Sequence, residues 1–100
     1  MLIKIAATED IPEGKSLVVN IPDGREIAIF HINGQFYALN NCCPHEGGPL
    51  GEGDVEGCQV TCPWHAWEFD IKTGSCSTFG GEDAETINIL VQGGEIFLAE

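Results

Sequence analysis

Residues 29–39 read IFHINGQFYAL, in which the dipeptide Asn33-Gly34 separates two apolar runs. The two central residues of a type I′ turn both need a positive φ, which Asn and Gly adopt at low cost. This stretch therefore predicts a β-hairpin, and with it an antiparallel sheet.

Outward from this hairpin the chain continues as short apolar segments separated by turn signals. Those signals are Pro12-Glu13-Gly14, Pro22-Asp23-Gly24, Lys72-Thr73-Gly74 and Gly93-Gly94. No segment shows ten residues of helical periodicity, and many short strands between Gly and Pro turns predict an all-β fold, an antiparallel sandwich or a small barrel. Besides the hairpin, the expected strands are 2–5, 17–21, 27–29, 60–61, 67–71, 86–91 and 95–99.

Length and charge narrow the class of protein. The 100 residues carry four Lys or Arg and sixteen Asp or Glu, a formal net charge of −12 with His neutral. Nucleic acid is not an expected partner because phosphate contacts need clustered cations. We expect a single domain spanning 1–100. Without an apolar run of roughly 20 residues or a signal-peptide pattern, we also expect no membrane segment and a cytoplasmic location.

The residues that can bind a metal lie in two short segments, Cys43-Pro44-His45 and Cys62-Pro63-Trp64-His65. Each offers one thiolate and one imidazole, and the proline after each Cys fixes φ and removes an amide donor. Five cysteines cannot all pair as disulfides, which favours a metal in a reducing compartment. Zinc is an alternative, although structural zinc sites usually draw Cys-x-x-Cys knuckles and paired histidines.

The two segments resemble the ligand pattern of Rieske iron–sulfur proteins. The resemblance extends to Gly47-Gly48-Pro49-Leu50 after the first His and to Trp67-Glu68-Phe69-Asp70 after the second. It implies a Rieske-type fold and one [2Fe-2S] cluster, with a two-loop cluster-binding subdomain at about 41–80. In this family two Cys hold one iron and two His hold the other. The implied ligands are Cys43 and Cys62 on one iron and His45 and His65 on its neighbour.

Two departures separate this sequence from the high-potential branch of the family. That branch joins its cluster loops by a disulfide, and the matching positions here are Gly48 and Trp64. It also has a Ser and a Tyr whose hydroxyls donate to sulfur, where this chain has Trp67 and Phe69. Loss of those donors, together with the acidic charge, predicts a reduction potential toward the low end of the Rieske range, roughly −150 mV.

The resemblance implies an electron carrier with no catalytic residues. A Rieske oxygenase also needs an iron held by two His and a carboxylate, and only His31, expected to be structural, is left. Small Rieske ferredoxins pass single electrons from a flavin-dependent NAD(P)H reductase to the terminal oxygenase of an aromatic-ring dioxygenase. We expect His45 and His65 to be the exit, with docking by an apolar tip and by acids that attract a basic partner. The tip residues are Pro44, Pro63 and Trp64, and the acids are Glu46, Glu52, Asp54 and Glu56.

Two other functions remain open from the sequence. The Gly-Gly-Pro-Leu and Trp-x-Phe-Asp segments are also similar to the small Rieske subunit of NAD(P)H nitrite reductase, whose partner is the large subunit. A redox-sensing interaction module is the other possibility, and the cysteines Cys42, Cys58 and Cys76, which are not ligands in this interpretation, would then matter.

Overall fold

The structure, a computed structural model, describes residues 2–44, 48–64, 66–77 and 81–99. Within these ranges the regular structure consists of β-strands and two 3₁₀ turns, without an α-helix, which confirms the all-β prediction. No helix in the described ranges is long and apolar enough to cross a membrane. The strands are β1 Ile3–Ala7, β2 Ser16–Asn20, β3 Glu26–Ile32, β4 Gln35–Asn40, β5 Asp54–Glu56, β6 Gln59–Thr61, β7 Glu68–Asp70, β8 Thr86–Ile87, β9 Ile89–Gln92 and β10 Glu95–Leu98, and the 3₁₀ turns are Thr8–Asp10 and Leu50–Glu52.

The strands form three antiparallel sheets. A terminal sheet has the order β1-β10-β9, a central sheet the order β2-β3-β4-β8, and a small sheet the order β5-β6-β7. The predicted hairpin joins β3 to β4, with Ile32 opposite Gln35. Its turn residues Asn33 and Gly34 have φ values of 51° and 77°, as a type I′ turn requires.

The central sheet is the middle layer, with a hydrophobic core on each face. Ile27 and Ile29 of β3 face the terminal sheet, whereas Ala28 and Phe30 face the small sheet. All four are fully buried. Burial on both faces explains why β3 is a continuous apolar run and not an alternating one. Cys43 and Cys62 belong to the core on the side of the small sheet.

One predicted strand is two strands in the structure. The segment 86–91 divides at Asn88: Ile87 pairs with Ala38 of the central sheet, and Ile89 pairs with Leu98 of the terminal sheet. Ile87 and Ile89 contribute to the same core. The period-two pattern therefore runs on without interruption while the hydrogen-bonding partner changes.

Candidate metal centre

The first predicted metal-binding segment lies in a short loop closed at its base, which we call loop 1 (residues 41–50). The Cys43 N–H donates to the Gly48 carbonyl at 2.9 Å, and the Leu50 N–H donates to the Asn41 carbonyl at 2.7 Å. Between these two bonds, Cys42 and Pro49 form an isolated β-bridge. This ladder holds the two ends of loop 1 side by side.

The second segment, loop 2 (residues 62–67), is closed in the same way. It connects β6 to β7, and the Cys62 N–H donates to the Trp67 carbonyl at 2.7 Å. In each loop the Cys amide therefore binds the carbonyl five residues further on. Within loop 2, Ala66 has φ 57°, in the left-handed region. That conformation costs a non-glycine residue about 1 kcal/mol.

The two loops bring their thiols together. Cys43 and Cys62 are 2% and 1% exposed. Burial raises the pKa of the Cys62 thiol, as does its hydrogen bond with the Cys43 side chain, while the Trp64 backbone N–H favours the thiolate and opposes that rise. Two buried thiolates need a compensating cation, and a bound metal supplies it in exchange for the protons. Adjacent thiols from separate loops are a donor set that fits one iron of a [2Fe-2S] cluster.

Gly48 lies where the two loops meet. A Cβ atom at this position would be 2.9 Å from Trp64 Cγ and 3.1 Å from Trp64 Cβ. The positions matched to the disulfide of high-potential Rieske proteins are thus neighbours here. All five cysteines of the chain are free, so packing and hydrogen bonds hold the loops.

The structure brings together two of the four predicted ligands, Cys43 and Cys62. The other two, His45 and His65, lie outside the described residues, as does Glu46. His31 belongs to a different part of the molecule. Its ring stacks on Phe36 with centroids 4.2 Å apart, and its Nδ1 is 2.7 Å from the Ile11 carbonyl. His31 is therefore a packed histidine, as the sequence predicts.

The remaining cysteines differ in environment. Cys42 is exposed, with its Sγ 3.9 Å from the Cys43 carbonyl. Cys58 and Cys76 are partly buried against the core that contains Cys43 and Cys62. The ring of Trp67 lies beside Cys76, because a Cβ atom at Gly81 would meet both side chains. Trp67, the last residue of loop 2, therefore contributes apolar packing beside Cys76.

Asn41, at the start of loop 1, is a residue that the sequence did not reveal. Asn41 is 3% exposed, and within the described ranges it is the one polar residue that is buried. Its only sequence signal is an Asn pair at the end of a strand. Such a pair is common where strands turn and points to no particular contact.

A family model for the Rieske [2Fe-2S] domain matches residues 1–91. The chain belongs to the Rieske [2Fe-2S] family. This assignment confirms the predicted [2Fe-2S] cluster and Rieske fold, and the buried thiol pair of this Rieske domain fits that cluster.

Relatives of this Rieske domain specify its type. It is 37% identical over 99 residues to the ferredoxin component of the p-cumate 2,3-dioxygenase system of Pseudomonas putida. The alignment covers 97% of this chain and 84% of the relative. The domain superimposes, with a TM-score of 0.90 and 27% identity, on a chain from the complex of reduced oxygenase and oxidized ferredoxin in carbazole 1,9a-dioxygenase. The superposition covers 98% of this chain and 92% of that one. These relatives confirm the prediction of an electron-carrying ferredoxin component of aromatic-ring dioxygenase systems.

The Rieske domain also resembles a small-subunit protein of a nitrite reductase that uses NADPH. The TM-score is 0.84 at 20% identity, covering 100% of this chain and 99% of that one. At this level of identity the likeness shows a shared fold.

Proposed function

We propose that this Rieske ferredoxin binds its cluster through Cys43 and Cys62 on one iron and His45 and His65 on the other. It carries one electron at a time from a flavin-dependent NAD(P)H reductase to a terminal oxygenase acting on aromatic rings. The observation that carries the proposal is the convergence of two buried thiols from two loops closed by the same hydrogen bond. When bound, the cluster supplies a centre that accepts and releases one electron.

The chain's own residues supply the surroundings of that centre. Cys43 and Cys62 lie in the same core as Leu50, Val60 and Phe69, all of which are fully buried. This apolar side excludes water from the sulfur ligands, and its low polarity favours the cluster state of smaller net charge. These surroundings act in the same direction as the missing hydroxyl donors and the acidic charge, toward a low reduction potential.

The proposed docking face is the exposed part of loop 2, on the side away from the buried thiols. Trp64 is 49% exposed although its backbone adjoins the Cys62 thiol, and Pro63 is exposed beside it. An exposed aromatic residue next to a redox centre is suited to brief contact with a partner. We propose His45 and His65, which adjoin Pro44 and Trp64 in the sequence, as the exit of the electron.

Charge favours a basic partner. Residues 26–71 contain no Lys or Arg, and this stretch includes both loops and the small sheet. Glu52, Asp54 and Glu56 are exposed between the loops in sequence. Acidic side chains on the edge strand β5 also prevent this strand from pairing with another sheet. In addition, their negative charge attracts a cationic surface within a distance of about one Debye length.

The nitrite reductase alternative has weaker support, because its likeness rests on a 20% identical structure. The relative at 37% identity is a dioxygenase ferredoxin. For the redox-sensing alternative, oxidation-dependent partner binding lost in Cys58→Ser or Cys76→Ser would support a sensor. We further propose that residues 1–100 form one domain, that residues of about 41–80 form its cluster-binding subdomain, and that the protein acts in the cytoplasm.

The decisive experiment is electron paramagnetic resonance of the dithionite-reduced protein after anaerobic reconstitution. A cluster with two His ligands gives a lower average g value than an all-cysteine cluster. Cys43→Ser, Cys62→Ser, His45→Ala and His65→Ala should each abolish the Rieske spectrum, whereas the control His31→Ala should retain it. A protein that stays colourless and free of iron, or that holds only zinc, would overturn the proposal.

A further inference from the structure

Asn41 is hydrogen-bonded through both its backbone and its side chain. Its backbone N–H donates to the Glu26 carbonyl at 2.9 Å, and its carbonyl accepts from the Leu50 N–H at 2.7 Å. Its Nδ2 donates to Glu26 Oε1 at 3.1 Å, and its Oδ1 accepts from the Gly51 N–H at 2.6 Å. A buried amide bonded at both its oxygen and its nitrogen fixes the groups around it in one arrangement.

These four bonds connect three separate parts of the fold. Glu26 is the first residue of β3 in the central sheet, Asn41 opens loop 1, and Leu50 and Gly51 begin the 3₁₀ turn that follows it. Asn41 therefore fastens both ends of loop 1 to each other and to the central sheet.

The packing of Gly51 makes this attachment tight. A Cβ atom at position 51 would collide with the Val18 side chain and would lie 3.0 Å from Asn41 Oδ1. From the other side, the Ser16 hydroxyl donates to the Gly51 carbonyl at 2.7 Å. The chain after loop 1 is thus held against β2 as well as against Asn41.

Loop 2 is supported differently, since it connects β6 and β7 of the small sheet. The two loops stand on different sheets, and the cysteines are free. We infer that Asn41 is a positioning residue that sets where loop 1, and with it Cys43, stands relative to loop 2. This inference rests on the proposed role of both loops as the carriers of the iron ligands.

The neighbouring Asn40 offers a matched control. Its Nδ2 donates to Glu85 Oε1 at 2.9 Å, and its Oδ1 accepts from the Cys42 N–H at 2.9 Å. The chemical pattern is that of Asn41, a carboxylate on one side and a backbone amide on the other. However, the Asn40 side chain binds at exposed positions and does not reach the far end of loop 1.

The test compares Asn41→Asp with Asn40→Asp. Both add one negative charge opposite a carboxylate, Glu85 or Glu26, but only Asn41→Asp loses a donor on a buried residue that also binds the far end of loop 1. The double variant Asn41→Asp/Glu26→Gln reverses that hydrogen bond, because the introduced amide can donate to the introduced carboxylate, and it restores the net charge. We expect cluster loss to a chelator to be about tenfold faster in Asn41→Asp, within about twofold of wild type in Asn40→Asp, and largely restored in the double variant.

Two further measurements separate positioning from general destabilisation. Hydrogen exchange should accelerate at the Leu50 and Gly51 amides in Asn41→Asp, while the amides of Ile29 and Ala38 in the central sheet keep their protection. The reduction potential should shift more in Asn41→Asp than in Asn40→Asp. If Asn41→Asp does not fold, Glu26→Ala at an exposed position removes the same acceptor and should accelerate cluster loss by about threefold.

The inference is overturned if the two Asn→Asp variants lose the cluster at the same rate, if the double variant restores nothing, or if Glu26→Ala behaves as wild type. Its failure is distinguishable from that of the proposed function. A chain that binds no Rieske cluster refutes the proposed function. The hydrogen exchange of the Leu50 and Gly51 amides tests the attachment of loop 1 by Asn41, whether or not iron is bound.

Discussion

Gly48 of loop 1 lies directly against the Cys62 thiol of loop 2: a Cβ atom at position 48 would be 2.8 Å from Cys62 Sγ. Real Cβ atoms are not found that close to sulfur, so any side chain at this position must push the loops apart. Glycine is needed here for close approach and not for an unusual φ, since position 48 is not among those with positive φ.

Gly48→Ala should therefore weaken cluster binding. The added methyl group meets Cys62 and Trp64 at once, and overpacking of this kind typically costs about 1–3 kcal/mol. We expect less iron per chain after reconstitution and faster bleaching of the visible spectrum. Both quantities are measured on the purified protein by iron analysis and absorbance.

Gly57→Ala is the control for this change. Gly57 has φ 60°, and an added methyl group there would meet nothing within 4 Å, so alanine strains the backbone without a collision. Thermal unfolding should shift by the equivalent of about 1 kcal/mol while the iron content stays full. Equal loss of iron in the two variants would contradict the role assigned to Gly48.

Phe69→Tyr should raise the reduction potential. Phe69 is fully buried in the core that contains Cys43 and Cys62, and in the sequence it matches the Tyr whose hydroxyl is a donor in high-potential Rieske proteins. A hydroxyl donating to sulfur stabilises the more negative reduced state, by an amount equivalent to about 20–60 mV for one hydrogen bond. An anaerobic redox titration measures the change.

Phe30→Tyr tests whether that shift is specific. Phe30 is equally buried and lies in the same core, but it belongs to β3 of the central sheet. Its new hydroxyl should reduce stability and leave the potential unchanged. A clearly positive midpoint for the wild-type protein, or equal shifts in the two Tyr variants, would refute the account of the low potential.

The sequence could predict those parts of the fold that depend on local chemistry. Asn33-Gly34 specifies its turn because both residues tolerate a positive φ, and the observed values agree. The switch at Asn88 was missed because alternation shows which face a residue buries but not which strand it pairs with. The strand Asp54–Glu56 was missed because two of its three residues are acids at an exposed edge.

The candidate site divides in the same way. The assignment of Cys43 and Cys62 to the same iron required the resemblance to Rieske proteins, because spacing along a chain does not define the distance between two loops. The contact of Gly48 with Cys62 and the four bonds of Asn41 arise from the packing of separate sheets. No local pattern in the sequence encodes them.

Glu13 should give the hairpin a stability that depends on pH. Its carboxylate accepts hydrogen bonds from the Gly34 and Asn33 N–H groups, at 2.9 and 2.6 Å, and these two bonds hold its pKa below the ordinary value of 4.5. A lowered pKa in the fold means that this stabilisation is complete above pH 4.5 and is lost as the pH falls through the folded value. Glu13→Gln removes the charge on the acceptor.

The difference in unfolding free energy between wild type and Glu13→Gln should therefore be present in full above pH 4.5 and should shrink as the solution is acidified below that pH. Denaturant unfolding at a series of pH values measures it. Glu56→Gln, an exposed acid of β5, is the comparison. A difference for Glu13→Gln that grows on acidification would reverse the sign argued here.

Electron transfer to the terminal oxygenase should slow as salt rises. Between about 0.01 M and 1 M ionic strength the Debye length falls from about 30 Å to about 3 Å, and steering by the acids next to the loops is screened. We expect the second-order rate constant, measured by stopped flow, to fall at least about tenfold.

Asp54→Asn/Glu56→Gln should reduce both the rate at low salt and the slope against salt, because it removes two exposed charges close to loop 2 in the small sheet. The matched control is Glu9→Gln/Asp10→Asn, which removes the same charge from the 3₁₀ turn beside the terminal sheet. The net charge of both variants is identical, so a difference between them reports where the partner docks. Equal salt slopes in the two variants would place the docking face away from β5.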